Sequence, residues 1–338
     1  MFQKIRVVKN ILLGRPILAI FDVTKLCNQR CPMCNIWKTE CDSMNIGEIE
    51  KKAAELKKFG VGYVFLQGGE PTIRKDILQI ADTFIKRGIK PTIITNGILL
   101  NDDFAGEVAK RKCNLAISID SLNPEIYKKM RGVDTLDRVL KNIMSISKFK
   151  KRKGNWSITS TITGLSTLDD IKALHDLSRK YGFMYAVRPY IFVNGVAGKK
   201  DAELFYKYDD VAEIYDYVIS NAEKENFLAW TVYKKHVEYL KGKPMPACDA
   251  MKRSFLLKEN GQMAPCIEFP GIVLKLGGFF KFRKQYRRNR LLFKNCNLNT
   301  PCFYNDAREI GILIKSFPRV IMYMPKIVKQ MVTYGNFF

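Results

Sequence analysis

The stretch FDVTKLCNQRCPMCNIW, Phe21–Trp37, places Cys27, Cys31 and Cys34 within eight residues, directly after the apolar run ILAIF. Three chemistries compete for such a cluster: a disulfide, a zinc site or an iron–sulfur centre. A disulfide leaves one of the three thiols over. Zinc normally takes four ligands, and the two histidines of the chain, His175 and His236, lie far off in sequence, so the zinc version needs Cys41 as its fourth ligand. Three closely spaced thiolates suit an iron–sulfur cluster in which one iron stays open to a further ligand.

The rest of the composition fits that preference. The chain has 338 residues, 47% of them hydrophobic, enough for one large domain and a smaller one. Nine cysteines are too few for a disulfide-knit secreted scaffold. ILAIF runs straight into DVTKLC with no small-residue cleavage site, so we expect no signal peptide and a reducing, cytoplasmic setting. There, clustered cysteines favour metal. The net charge of +24 points to a polyanionic partner, either nucleic acid or an anionic membrane surface.

Outward from the cysteines, β-rich runs alternate with helical patterns. The runs are ILAIFDVT, GYVFLQGG, PTIITNG, LAISID, WSITSTIT and MYAVRPYIF; IGEIEKKAAELKKFG and DILQIADTFIKRG are helical and end near glycines that can cap them. Six strand–helix repeats over 16–195 predict an α/β fold, a parallel sheet curled as a partial (β/α)6 barrel. Chemistry in such folds sits at the C-terminal ends of the strands, where Glu70, Asn96 and Asp120 fall. Residues 1–15 read as a basic amphipathic segment, 196–247 as a helical connection, 248–308 as a small cysteine-bearing domain and 309–338 as a basic apolar tail.

C-x3-C-x2-C after the first strand and GGEP after the second, at 68–71, resemble the radical S-adenosylmethionine (SAM) superfamily over about residues 16–195. The resemblance implies a 4Fe–4S cluster on Cys27, Cys31 and Cys34. Its open iron would be chelated by SAM, and one electron, from a reductant such as ferredoxin or flavodoxin, would release a 5′-deoxyadenosyl radical that abstracts hydrogen from an unactivated C–H bond. By the same resemblance Met33 packs near adenine, Gly68 and Gly69 let the backbone approach SAM, Glu70 faces its ammonium and Asn96 lies near its ribose. Ser118 and Asp120, ending the fourth strand, face its carboxylate or ribose; Thr161 and Arg188, ending the fifth and sixth, are further candidates.

Cys248, Cys266, Cys296 and Cys302 follow the barrel. CDAMKRSFLLKENGQMAPC, C-x12-G-x4-C, is similar to the opening of the auxiliary-cluster extension called SPASM, or of its shorter form, twitch. Four cysteines suffice to ligate one auxiliary 4Fe–4S cluster; buried thiols or zinc are the alternatives.

The ends suggest partners. Phe2, Ile5, Val8, Ile11 and Leu12 recur at helical spacing among Lys4, Arg6 and Lys9, and the tail mixes apolar residues with Lys315, Arg319, Lys326 and Lys329. That composition predicts peripheral attachment to the inner face of an anionic membrane and a lipid or isoprenoid substrate. FFKFRKQYRRNRLLFK interleaves aromatics with cations, which RNA would also fit. A maturase of ribosomally made peptides is a further reading, and a non-enzymatic iron–sulfur electron-transfer module another.

Overall fold

The computed structural model describes residues 2–38, 42–149, 155–190, 202–243, 248–266, 272–275, 280–289, 310 and 312–314. Six parallel strands, β1 (Leu18–Thr24), β2 (Tyr63–Gly68), β3 (Lys90–Thr95), β4 (Asn114–Ser118), β5 (Trp156–Ile162) and β6 (Met184–Pro189), follow the six predicted runs. They stand side by side in sequence order. Parallel strands in sequence order, each joined to the next by a crossover, follow the winding of a barrel rather than of a doubly wound sheet.

The helices form where the sequence supplies both a stripe and its ends. In α2 (Ile46–Phe59), Ile49, Ala53, Leu56 and Phe59 are buried; Asn45 and Glu48 form a capping box, and Gly60 closes the helix at φ 97°. The remaining helices of the barrel are α3 (Ile77–Ile85), α4 (Asp102–Lys110), α5 (Pro124–Arg131), α6 (Leu136–Ile146) and α7 (Leu168–Tyr181). On α6, Leu136, Val139, Ile143 and Ile146 are all buried, each contributing roughly 1.5–3 kcal/mol by leaving water. The expected glycine cap of α3 falls elsewhere: the helix ends at Lys86, and Gly88 lies in the turn beyond.

Beyond the barrel, α8 (Tyr208–Glu225) and α9 (Phe227–Leu240) bury Val211, Ile214, Tyr215, Val218 and Tyr233 in a second apolar cluster with Val187 of β6. The segment expected to open a separate domain at 248 does something different. Its strand β7 (Ser254–Leu257) pairs in parallel with β1, Leu18 opposite Ser254, and β8 (Met263–Ala264) pairs antiparallel with β7. The sheet thus has eight strands in the order β6-β5-β4-β3-β2-β1-β7-β8. The reason is physical: β1 would otherwise be an edge strand with a row of unpaired backbone groups, and SFLL, buried at all four positions, covers it.

At the N-terminus, α1 (Phe2–Leu12) docks on the barrel through polar contacts. Buried Asn10 donates to the carbonyls of Pro16 (2.8 Å) and Phe59 (3.3 Å), Arg6 to Gly88, and Arg253 donates to Ile11 (3.1 Å). Val8 and Leu12 remain exposed. Among the described residues, no helix is long and apolar enough to cross a membrane.

Candidate metal and cofactor site

The cysteine loop leaves β1 at Thr24, and backbone contacts fix its root. Gly69 N–H donates to Thr24 O (2.8 Å) and Glu70 N–H to Leu26 O (2.7 Å). These contacts explain the paired glycines. A Cβ on Gly68 would lie 2.2 Å from Thr24 O, and one on Gly69 would lie 2.0 Å from Leu26 O. The sequence assigned both glycines to close approach by a cofactor; what approaches them is the root of the cysteine loop itself. Farther along, Cys34 N–H donates to Cys31 O (3.0 Å), Trp37 donates from Nε1 to Cys31 O (3.4 Å), and the Arg30 guanidinium lies over the Trp37 ring.

None of the three thiols is in a disulfide; Cys31 is buried, Cys27 and Cys34 half-buried. They lie within each other's electrostatic reach. Burial pushes Cys27 up, and pushes Cys31 up to about 12, with the neighbouring sulfurs adding to both. Among the described residues no three His, Cys, Asp or Glu side chains are gathered on the position of a single metal ion. A cubane cluster asks for something else, since each cysteine then binds its own iron. The donor set fits that demand: three thiols on one loop, with Gln29 N–H aimed at the Cys27 sulfur (3.4 Å), the kind of outer hydrogen bond that tunes thiolate ligands.

Glu70 is buried at the start of the short turn Pro71–Ile73, and both of its oxygens are engaged. Oε1 accepts from Thr72 N (3.0 Å), Thr72 Oγ1 (2.5 Å) and Thr95 Oγ1 (2.7 Å); Oε2 accepts from Asn96 N (2.7 Å). Burial raises its pKa, while these donors work against the rise. The carboxylate expected to face an ammonium group therefore joins the end of β2 to the end of β3. Asn96 carries the link onward, donating from Nδ2 to Asn28 Oδ1 (2.7 Å) inside the cysteine loop. Met33 leans on the second apolar cluster, beside β6 and α8.

Asp120 is buried just past β4; it accepts from Thr161 N (2.7 Å) and pairs with Arg131 at 2.7 Å. Ser118 is half-buried at the end of β4, Thr161 half-buried in β5, and Arg188 is exposed opposite Thr161 on β6. Glu70, Asn96 and Asp120 thus gather around the loop, whereas Arg188 stands at the solvent side.

Sequence reasoning missed the contribution of α5. Arg131 O accepts from Arg30 N (3.3 Å) and from the Cys31 thiol (3.5 Å), and Tyr127 OH accepts from Gln29 Nε2 (3.2 Å). Gly132, at φ 68°, allows the helix end to come this near, since a Cβ there would lie 2.4 Å from Arg30 O. MRG, the basic last turn followed by glycine, was a legible helix stop, but nothing local says which loop it touches. Lys25 was missed too; it pairs with buried Asp22 (3.1 Å) and with Glu259 of the β7–β8 turn (3.4 Å).

Of the second cysteine group, Cys248 and Cys266 are half-buried and flank β7 and β8 on either side. Ala250 N–H donates to the Cys248 sulfur (3.4 Å). Cys296 and Cys302 lie outside the described residues, as does nearly all of the tail 309–338.

Residues 21–178 match the family model of the radical SAM superfamily. A probable GTP 3′,8-cyclase of Thermococcus kodakarensis is 36% identical over 148 residues, 40% of this chain and 46% of that protein. The mycofactocin maturase MftC of Mycobacterium ulcerans is 24% identical over 218 residues, 63% of this chain and 57% of that protein. The matches thus span about half the length of these relatives. Among solved structures, Streptococcus suis SuiB bound to precursor peptide SuiA superposes with a TM-score of 0.63 at 20% identity, covering 92% of this chain and 70% of that chain. Native anSMEcpe with bound AdoMet gives 0.60 at 16% identity, covering 92% and 99%. Both are likenesses of fold.

Proposed function

With residues 21–178 a radical SAM domain, we propose that the chain is a radical SAM enzyme that modifies a peptide. The observation that carries the substrate class is the reach of the likeness. The cyclase match is no longer than the radical SAM domain, whereas the maturase match runs over 218 residues, and the likeness to SuiB bound to precursor peptide SuiA covers 92% of the chain. The charge of +24 favours an acidic peptide.

In this reading Cys27, Cys31 and Cys34 hold three irons of a 4Fe–4S cluster and leave the fourth to SAM. When bound, the pair supplies a 5′-deoxyadenosyl radical that removes hydrogen from a substrate C–H bond. The chain's own residues position it. Gly69 and Glu70 anchor the loop root, Asn96 ties the loop to β3 through Asn28, and Ser118, Asp120 and Thr161 at the strand ends, with Met33 from the cysteine loop and Arg188 from the solvent side, are the residues that would meet SAM. Cys248 and Cys266, with Cys296 and Cys302, would hold the auxiliary cluster.

A lipid substrate at an anionic membrane is the second reading, favoured by exposed Val8 and Leu12 on α1 and by exposed Phe280 beside Lys281 and Lys284 in the helical stretch 280–289.

The test is anaerobic reconstitution followed by reduction with dithionite in the presence of SAM. Wild type should form 5′-deoxyadenosine, and the triple Cys27→Ala, Cys31→Ala, Cys34→Ala variant should form none. Turnover should rise with acidic synthetic peptides and stay flat with GTP, RNA or lipid vesicles. A wild-type protein that holds its clusters yet never cleaves SAM would instead be an electron-transfer module.

A further inference from the structure

The end of α5 presents an arrangement that neither the peptide reading nor the cysteine motif uses. Arg131 is buried, and so is Asp120, its partner at 2.7 Å. The backbone carbonyl of Arg131 receives the Cys31 thiol at 3.5 Å, and its guanidinium lies within electrostatic reach of the same sulfur. Arg131 Nε is buried with no hydrogen-bond partner. A buried guanidinium paired with a buried carboxylate thus sets one cation and one anion, both shielded from water, near the Cys31 thiol.

We propose that the Arg131–Asp120 pair sets the reduction potential of the cluster held by Cys31, with Arg131 as a positioning residue that favours the reduced state. The argument is electrostatic. Reduction adds one negative charge to the cluster, and in a dry site a nearby cation stabilises that charge far more than it would in water. Hydrogen bonds and charge around the sulfurs are among the levers that set iron–sulfur potentials. Asp120 offsets part of this field, so the two residues must act in opposite directions. A purely structural brace would not give opposite signs.

The inference rests on the reading that Cys31 binds iron, and iron content reports that reading separately. The experiment is an EPR-monitored redox titration of reconstituted full-length protein, following the signal that is absent from a Cys27→Ala variant. Arg131→Met should lower the ratio of reduced to oxidised cluster at fixed potential at least tenfold, about 59 mV for a one-electron couple. Arg131→Lys should restore most of it, and Asp120→Asn should raise the ratio. If Arg131→Met fails to load iron, Asp120→Asn decides: an upward shift supports the proposal, and an unchanged potential overturns it. Iron-loaded Arg131→Met and Asp120→Asn variants that both stay within twofold of wild type, or that shift in the same direction, also overturn it.

Discussion

Replacing Gly69 by alanine should cost this protein both stability and iron. The new Cβ would sit 2.0 Å from Leu26 O, 2.6 Å from Leu26 C and 2.6 Å from Lys25 O, where real Cβ atoms keep at least 3.0 Å. All three neighbours are backbone, so no side chain can swing aside, and the chains must part by about 1 Å. That parting breaks or stretches the bonds from Gly69 N–H to Thr24 O and from Glu70 N–H to Leu26 O. Each bond is worth about 0.5–1.5 kcal/mol net, and an orphaned buried donor costs about 1–3 kcal/mol. A loss of about 2–4 kcal/mol follows, which a melting experiment on the anaerobic protein would read as a fall of roughly 3–6 °C. Because the displaced segment is the root of the cysteine loop, iron per chain should fall as well. Gly47→Ala is the control: its nearest neighbour is Asn45 Oδ1 at 3.4 Å, so stability should hold or rise by up to about 0.5 kcal/mol. A Gly69→Ala protein with wild-type melting and full iron would refute the reasoning.

Reconstituted wild type should hold about eight irons, the sum of two cubane clusters, and Cys266→Ala about four; four in both would remove the auxiliary cluster. The Arg74 guanidinium holds the Asp76 carboxyl below its ordinary value while also bonding Val23 O (2.8 Å) and Met44 O (3.1 Å). A depressed folded pKa contributes stability above the unfolded value, near 4, and loses it as pH falls through the folded one. Asp76→Asn should therefore melt lower at pH 7 and show a shallower acid limb, and identical pH–melting curves would exclude the coupling. Anionic vesicles should retain the protein at low salt if exposed Val8, Leu12 and Phe280 mark a lipid-facing side; failure to co-sediment removes the membrane reading.

The barrel was legible because its strands are apolar runs separated by capped helices. Each run could be read locally, and the six strands follow the predicted stretches, with β3 and β4 each starting one residue earlier, at Lys90 and Asn114. SFLL at 254–257 is just as apolar, but its sequence neighbours belong to the cysteine pattern of 248–266, and nothing local names β1 as its partner. The glycines of GGEP were read as sites of close approach to a cofactor, and the structure adds the cysteine-loop backbone as a neighbour, since a missing Cβ says how near something comes and not what. Glu70 was legible only in part for a related reason: carboxylate chemistry suggests a ligand, and does not announce the four donors from Thr72, Thr95 and Asn96 that also make it a junction. Arg131 carried no motif, because its meaning arises only when α5 folds back over Cys31.

The pairing of β1 with β7 has a consequence for how the molecule is made. On the ribosome, the strand that leads into the cysteine loop emerges early, gains β2 on one side, and waits for its other neighbour until Ser254–Leu257 has been synthesised, about 240 residues after Leu18. At about 5–20 residues per second, that interval is on the order of 10–50 s. Throughout it one flank of β1 is an open hydrogen-bonding edge, the arrangement most prone to pairing with another chain. Iron delivered before β7 arrives would meet a loop rooted in a half-flanked strand, so the timing of metal supply relative to elongation becomes a determinant of yield.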